Sequence, residues 1–276
     1  MRVEFTKMHG VGNDFVVFDA PVPDSLLDPA RLRALADRRT GIGFDQALLL
    51  DTPRRAANAA HYRVFNADGA EVEQCGNGAR CIAALLERRG RAREGALTLE
   101  SAAGVIHARL ATDGEVSVDL GVPDFNPRSL PFDAPSEADS YPLEVGGQRL
   151  EIMVASLGNP HAVVAVASVD SVPVATLGPL IERHTRFPRG VNAGFLEIVS
   201  REEVRLRVYE RGAGETRSCG TGACAAVAVA ARRGWLAARV RVSVRGGELQ
   251  VNWAGVGEHI WLSGPAQISF QGHVEV

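Results

Sequence analysis

A cysteine placed directly ahead of Gly-x-Gly-Ala occurs twice in this chain, in Glu73-Gln-Cys-Gly-Asn-Gly-Ala-Arg-Cys81 and in Arg217-Ser-Cys-Gly-Thr-Gly-Ala-Cys224. In register, Cys75 falls on Cys219, Gly76 on Gly220, Asn77 on Thr221, Gly78 on Gly222 and Ala79 on Ala223. Each stretch reads as the N-terminus of a buried helix with the cysteine in the cap position. The flanks repeat as well. Gly12-Asn13 answers to Gly158-Asn159, and Phe65-Asn-Ala-Asp-Gly-Ala-Glu71 to Tyr209-Glu-Arg-Gly-Ala-Gly-Glu215. The spans 13 to 75 and 159 to 219 differ by only two residues. Matching motifs at matching spacing mean an internal duplication, and two copies are too few for a solenoid.

Between these marks the pattern alternates strands and turns. Residues 3–7 and 15–18 read as strands around the turn Met8-His-Gly-Val-Gly-Asn-Asp14, and Asp28-Pro-Ala opens a helix reaching about residue 39. Strands at 47–50 and 61–65 lead to the first cysteine loop, whose helix stops at Gly90. Strands at 97–100, 105–110 and 115–120 close the first half. Residues 121–142 hold five prolines and no sustained period, which reads as a domain linker. The second half repeats the order: a strand at 149–155, a helix at 174–184, strands at 195–199 and 204–209, then the second cysteine loop. The helix behind Cys219 is apolar all round, as expected of a helix enclosed by its own domain. The expected fold is therefore α/β (α+β), with two pseudo-symmetric domains, each a mainly antiparallel sheet or barrel wrapped on a central helix. The domains are expected at 1–120, completed by a C-terminal strand at 265–276, and at 121–264, with the two cysteine ends facing each other across their interface.

Composition narrows the function. With 46% hydrophobic and 23% charged residues over 276 positions the chain suits a soluble globular protein. A net charge of −3 without a dense Lys or Arg run argues against nucleic acid or a membrane as partner. Arg2, Glu4 and Lys7 leave no apolar leader core near the start, and a cytoplasmic setting is expected. Four cysteines in that setting are expected to be thiols, and their spacings are not the C-x2-C of zinc or iron–sulfur sites, so no metal is expected. Lys7 is the only lysine and lies in the first strand, which disfavours pyridoxal phosphate with its Schiff-base lysine.

A helix N-terminus presents orphan N–H groups and a positive dipole end, which bind anions and lower the pKa of a thiol placed there. Two such ends aimed at one point would hold a carboxylate and put a sulfur on each side of its α-carbon. With one sulfur as thiolate and the other as thiol, this is an acid and a base on opposite faces of a stereocentre, which is what inversion without a cofactor requires. The charge that spreads onto the carboxylate when the α-proton leaves would be stabilised by the two helix ends.

Phe5-x-Lys-Met-His-Gly-x-Gly-Asn-Asp-Phe15, Gly41-Ile-Gly-x-Asp-Gln46, Phe65-Asn-Ala-Asp-Gly69, Gln74-Cys-Gly-Asn-Gly-Ala-Arg-Cys81, Gly158-Asn-Pro-His161 and Tyr209-Glu-Arg-Gly-x-Gly-Glu-Thr-x-x-Cys-Gly-Thr-Gly-Ala-Cys224 together resemble the diaminopimelate epimerase family over essentially the whole chain. The resemblance implies interconversion of LL- and meso-2,6-diaminopimelate, on the route to lysine and peptidoglycan, by a two-base thiol mechanism with no cofactor, in a homodimer. Residue by residue, it makes Cys75 and Cys219 the acid/base pair and His161 and Glu210 the groups that tune them. Gly76, Asn77, Gly220 and Thr221 would bind the reacting carboxylate. Asn13, Gln46, Asn66, Asn159, Asn192, Glu210 and Arg211 would bind the rest of the substrate. Two departures are small: Thr221 stands where many members carry Ser, and Phe44 where a small residue is common.

Plainer readings exist for several of these residues. Cys81 and Cys224 lie inside the helices and read as small buried hydrophobes. Asn13, Asn66, Asn159 and Asn192 sit beside turn residues and could serve turn chemistry alone. His161 could simply start a strand, and the other six histidines are ungrouped. Two further functions stay in view: a proline racemase or hydroxyproline epimerase, against which Arg211 and the four asparagines argue for a longer substrate, and a redox sensor in which Cys75 and Cys219 form a reversible disulfide.

Overall fold

The computed structural model describes residues 1–72, 75–112 and 114–276; Glu73 and Gln74, which open the first cysteine motif, lie outside the described residues. The chain divides into one unit formed by Met1–Val118 with Gly264–Val276 and another formed by Asp119–Ser263. In the first unit the elements run β1 (Arg2–Gly10), β2 (Asn13–Asp19), α1 (Pro29–Ala36), β3 (Gln46–Asp51), β4 (Ala60–Asn66), β5 (Glu71–Val72), α2 (Gly76–Arg88), β6 (Ala96–Ser101), β7 (Gly104–Leu110) and β8 (Val116–Asp119). The second runs β9 (Tyr141–Val145), β10 (Gln148–Ser156), β11 (Pro160–Ala165), α3 (Val174–Glu182), β12 (Asn192–Ser200), β13 (Glu203–Glu210), β14 (Gly214–Glu215), α4 (Gly220–Arg232), β15 (Arg239–Val244), β16 (Gly247–Trp253) and β17 (Ile260–Gly264). β18 (Gln267–Glu275) returns to the first unit.

Backbone pairing gives both units one strand order. The first is β18-β1-β2-β3-β4-β6-β7-β8, and the second is β9-β10-β11-β12-β13-β15-β16-β17. All neighbours are antiparallel except β2/β3 and β4/β6 in the first and β11/β12 and β13/β15 in the second. A parallel pair needs a long crossover, and the helices supply it: α1 and α3 span the first crossover, α2 and α4 the second. The C-terminal β18 takes the edge place that β9 holds in the second unit.

Each sheet packs around its long helix. Every residue from Gly76 to Leu86 in α2 and from Gly220 to Ala230 in α4 is buried. α2 packs on β1, β2, β6, β7 and β18, and α4 on β10, β11, β12, β13 and β16. Burying Ile82, Leu85 and Leu86 stabilises the first unit by roughly 1.5–3 kcal/mol each. In α4 the wholly buried Ala223, Ala225, Ala226, Ala228 and Ala230 let strands approach closely, so a larger side chain there would overpack at about 1–3 kcal/mol. Both helices end against a glycine in the left-handed region, Gly90 (φ 70°) and Gly234 (φ 76°). α1 starts where Asp28 accepts the Ala30 N–H at 2.8 Å and Pro29 presets the first turn.

The proline-rich stretch 121–142, read from composition as a linker, instead packs into the second unit. Leu130 and Phe132 lie in that unit's core, where Phe132 stacks on Phe187 with ring centroids 4.6 Å apart. Asp124 also exchanges backbone hydrogen bonds with Ser156. The prolines shape turns that bring isolated aromatic residues inward, a pattern with no period to betray it. Phe44, one of the departures from the resembled pattern, is a core residue in one cluster with Leu32 and Leu35 of α1. Among the described residues, no helix is long and apolar enough to cross a membrane.

Candidate active site

Cys75 and Cys219 occupy the N-cap positions of α2 and α4, both with extended backbone (φ −142°, ψ 118° and φ −118°, ψ 110°). Their carbonyls accept the first helical bonds, from Ala79 N–H at 2.8 Å and Ala223 N–H at 2.9 Å. The N–H groups of the first helical turns consequently lack carbonyl partners inside the helix and are oriented for an anion. The space behind each sulfur is tight: a Cβ on Gly78 would lie 3.2 Å from Leu48 Cδ2, and one on Gly222 would lie 3.1 Å from Val208 and 3.2 Å from Cys219 Sγ, so neighbours would have to give way.

In the first unit Asn13 opens β2 behind Gly12, whose φ of 79° a side chain would resist. Its amide is oriented by Asp45, which accepts from Nδ2 at 2.8 Å. That leaves Oδ1 to accept from Asn77 Nδ2 at 3.1 Å and to face Cys75 Sγ at 3.9 Å. Asp45 is itself held by Arg38, which also grips Asp14 with two guanidinium nitrogens. Burial would raise the Asp14 pKa, but hydrogen bonds and charge from Arg38 and Lys7 outweigh it and bring the carboxyl down to about 2. Lys7, the lone lysine, is buried with its ammonium committed to Asp14 and the Gly43 carbonyl. Gln46 opens β3 and donates to Asn66 Oδ1 at 2.8 Å, while its own buried Oε1 has no hydrogen-bond partner among the described residues. Tyr62, fully buried, has its phenol pKa raised by burial and then by the charge of Cys75.

The second unit builds the equivalent place differently. Gly158 repeats the left-handed turn (φ 88°), and Asn159 accepts from His161 Nε2 through Oδ1 at 3.0 Å and donates from Nδ2 to Thr221 Oγ1 at 3.2 Å. Thr221 Oγ1 in turn lies 3.6 Å from Cys219 Sγ. An amide oxygen can only accept, so His161 carries its ring proton on Nε2. Burial, then the positive charge of Arg211, lowers the His161 pKa to about 3, and the ring is neutral near pH 7. Asn192 is buried and doubly committed, donating to the Pro160 carbonyl at 2.9 Å and accepting the Arg211 N–H at 2.9 Å. Glu182, also buried, accepts the next N–H along, that of Gly212, at 2.7 Å. The Arg211 side chain is exposed and lines an open cleft of about 420 Å³ within this unit, with Glu182, Arg183, Pro188 and Arg189 among its walls.

The expectation that a helix start lowers the thiol pKa fails at Cys219. Its pKa is raised well above the ordinary value by burial first, then by the charge and hydrogen bonding of Glu210; the Thr221 hydroxyl and the Gly222 N–H oppose this and lose. Desolvation of a residue only 5% exposed outweighs the helix end. Cys75 is half-buried. Cys81 and Cys224 are fully buried inside their helices, and burial pushes Cys81 up to about 12. All four cysteines are unbridged. Among the described residues, no group of three His, Cys, Asp or Glu side chains is placed to hold a metal ion.

Thus the first unit gathers Asn13, Asn77 and Cys75 and joins Gln46 to Asn66. The second gathers Asn159, His161, Thr221, Cys219 and Glu210 and joins Asn192 to Arg211. Sequence reasoning passed over Asp45, which sets the Asn13 amide from 32 residues away, as well as Glu182 and Thr216. Asp45 was visible inside the Gly41-Ile-Gly-x-Asp-Gln46 motif and Thr216 inside the motif Tyr209–Cys224, though neither was given a role; nothing local marked Glu182.

A pair of like-ordered sheets, each packed on a helix capped by cysteine, places the protein in an architectural class with solved members. The hydroxyproline epimerase from Agrobacterium vitis superposes with a TM-score of 0.74 at 20% identity, covering 99% of this chain and 92% of that one. A predicted epimerase from Pseudomonas aeruginosa gives 0.72 at 17% identity, covering 99% of both chains. At these identities the likeness establishes the fold. Sequence takes it further: the diaminopimelate epimerase family model matches residues 5–126 and 153–269. Diaminopimelate epimerase from Laribacter hongkongensis is 53% identical over 276 residues, covering 99% of both chains, and that from Thioalkalivibrio sulfidiphilus is 52% identical over the whole of both. The chain belongs to the diaminopimelate epimerase family.

Proposed function

We propose that this protein interconverts LL- and meso-2,6-diaminopimelate, in lysine and peptidoglycan precursor synthesis, using Cys75 and Cys219 as base and acid. The observation that carries the reading is the pair of cysteine N-caps at equivalent places in two like-folded units, in a chain whose relatives named diaminopimelate epimerase match it end to end. One sulfur removes the α-proton as thiolate while the other returns a proton to the opposite face as thiol. The N–H groups of Gly76, Asn77, Gly220 and Thr221 take the reacting carboxylate, where negative charge grows as the proton leaves. Burial and Glu210 favour the thiol form of Cys219, so in this reading Cys219 is the proton donor.

At the far end of the substrate, the guanidinium of Arg211 suits a carboxylate bound through two parallel hydrogen bonds. The amides of Asn13, Gln46, Asn66 and Asn159 can both donate and accept and so suit a zwitterion. Asn192, whose oxygen and one amide hydrogen are engaged within the protein as those of Asn13 and Asn159 are, keeps a second amide hydrogen for the substrate and also holds the Arg211 backbone. His161, neutral and hydrogen-bonded to Asn159, orients the amide that reaches Thr221 beside Cys219. In the same reading the units are the two halves of a duplicated enzyme that works as a cytoplasmic homodimer with no cofactor.

The test is proton NMR of the purified, reduced protein with LL-diaminopimelate in D2O and no added cofactor. α-Hydrogen exchange with appearance of the meso isomer is the expected result. If neither occurs while the thiols are titrated as reduced, the substrate assignment fails, and proline and hydroxyproline become the next substrates to try.

A further inference from the structure

The turns that follow β4 and β13 stand at equivalent points of the two units, yet the neighbouring helix grips them with opposite charge. In the first unit Arg33 of α1 donates to the Asp68 carbonyl at 3.0 Å. In the second, Gly212 stands where the first has Asp68, and its N–H donates at 2.7 Å to Glu182, the last residue of α3. Gly212 is the third residue of a four-residue turn. Ala213 N–H donates to the Glu210 carbonyl at 3.2 Å, Gly212 has φ 76°, and Arg211 is not left-handed, which together define a type II turn. Its central peptide faces the other way from that of a type I turn, and a glycine in the third place can adopt either. Glu182 makes the choice. Its carboxylate is buried, and its second oxygen meets only the exposed Arg183, at 3.6 Å. The peptide it grips has no other hold: among the described residues Gly212 N–H has this one acceptor, and the Arg211 carbonyl accepts no protein hydrogen bond. A trans peptide points its N–H and C=O in opposite directions, so a buried acceptor on the N–H turns the Arg211 carbonyl outward from an exposed turn. The Arg211 guanidinium spends one nitrogen on the Arg189 carbonyl at 3.1 Å and keeps its other donors. Arg211 thus offers a main-chain acceptor and a guanidinium, the complement of an ammonium and a carboxylate on one carbon.

We propose that Glu182 is a positioning residue for the substrate: by holding the Gly212 N–H it keeps the Arg211–Gly212 peptide in the one orientation that presents the Arg211 carbonyl to the far ammonium of diaminopimelate. The inference rests on the epimerase reading and deepens it. Without the acceptor the peptide can flip, and an N–H then stands where the ammonium needs an oxygen.

The experiment uses Glu182→Leu, which removes the acceptor, and Gly212→Ala, which disfavours the left-handed φ of the turn while its Cβ meets nothing within 4 Å. Glu182→Gln, whose amide oxygen can still accept, is the conservative variant. KM and kcat for LL-diaminopimelate are measured with the Ki of L-2-aminopimelate, the same chain without the far amino group, and with the thermal midpoint of each variant. Glu182→Leu and Gly212→Ala are each expected to raise KM about tenfold with kcat within about twofold, as for binding shared by ground and transition states. The Ki of L-2-aminopimelate should stay within about twofold of the parent, and the KM of Glu182→Gln within about threefold. Combined, the leucine and alanine should go no further than the larger single effect, because both act on one peptide. The proposal is overturned by a parental KM in either variant, by equal weakening of both ligands, by Glu182→Gln falling as far as Glu182→Leu, or by full multiplication in the double variant. If the parent protein fails to turn over diaminopimelate, the epimerase reading falls. The crystal structure of Glu182→Leu then still decides the role of Glu182: a flipped peptide supports it, and an unmoved Arg211 carbonyl with positive φ at Gly212 overturns it.

Discussion

Set side by side, the two units share a scaffold and differ in charge. Both have the same strand order, a left-handed glycine ahead of an asparagine, and a bidentate Arg–Glu pair across the hairpin. Yet Gln46 is paired in register with Phe15 where Asn192 is paired with His161, and Asn66 stands for Glu210. Cys75 is half-buried with the oxygen of the neutral Asn13 amide beside it, whereas Cys219 is buried beside a carboxylate. The lesson is that duplication can supply two equivalent helix starts, but inversion at a carbon needs unlike protonation states. A few side chains around an unchanged backbone are enough to make the halves unlike.

The comparison breaks most sharply at the sulfurs. Cys75→Ala and Cys219→Ala should each lower epimerisation about a thousandfold or more with near-parental thermal midpoints; substantial turnover in either would remove the two-base account. Next is the order of reaction with iodoacetamide. Exposure favours Cys75, and burial together with Glu210 disfavours thiolate at Cys219, so Cys75 should be modified roughly a hundredfold faster at pH 7. Equal rates would mean that the two sites are electrostatically alike after all.

A third difference concerns acid. His161 has its pKa lowered to about 3 from an unfolded value near 6.5, so between these limits the unfolded chain binds the extra proton. This contribution to stability is present in full above the unfolded value and is lost as pH falls through the window, at about 1 kcal/mol per pH unit. Asp14, lowered to about 2, adds its own loss only below about 4. His161→Gln should therefore flatten the thermal midpoint between pH 7 and 4.5, whereas an unchanged slope would mean that the ring is not held neutral. The smallest effect separates the hairpin pairs. Arg207 and Glu215 are 20% and 16% exposed, and Arg207 also donates to the Val169 carbonyl, whereas Arg63 and Glu71 are 36% and 42% exposed. Chemical denaturation of Arg207→Gln should show a loss of about 1–3 kcal/mol, against less than about 1 kcal/mol for Arg63→Gln. Equal losses would show that burial does not distinguish them.

Much of this molecule was legible in its residues because the signals involved are local. Alternation over a few positions marked the strands, Asp28-Pro-Ala marked the start of α1, and Cys-Gly-x-Gly-Ala marked both buried helices in their cap positions. The repeat of Gly-Asn and of the hairpin glutamates placed equivalent points in equivalent order. The strands, the caps and the cysteine loops depend on neighbours one to four residues apart, and the repeat is the same local signals met twice, so both are written in sequence.

Tertiary structure decided what surrounds the sulfurs and which effect wins there. Stretch 121–142 had the composition of a tether, but Phe132 found Phe187, a partner more than fifty residues away, and the segment became core. The helix start behind Cys219 promised a lowered thiol pKa, but the strands packed around it removed water and brought Glu210 alongside, and desolvation with a like charge prevailed. Asp45 aims the Asn13 amide, and Glu182 with Asn192 holds the backbone that carries Arg211, through hydrogen bonds between residues 32, 30 and 19 positions apart. The sequence by itself determined the duplicated frame and the two cysteines at its helix starts. Only the packed structure determined which of them is driven to keep its proton, because burial and charge act through space and depend on what the fold stacks over each sulfur.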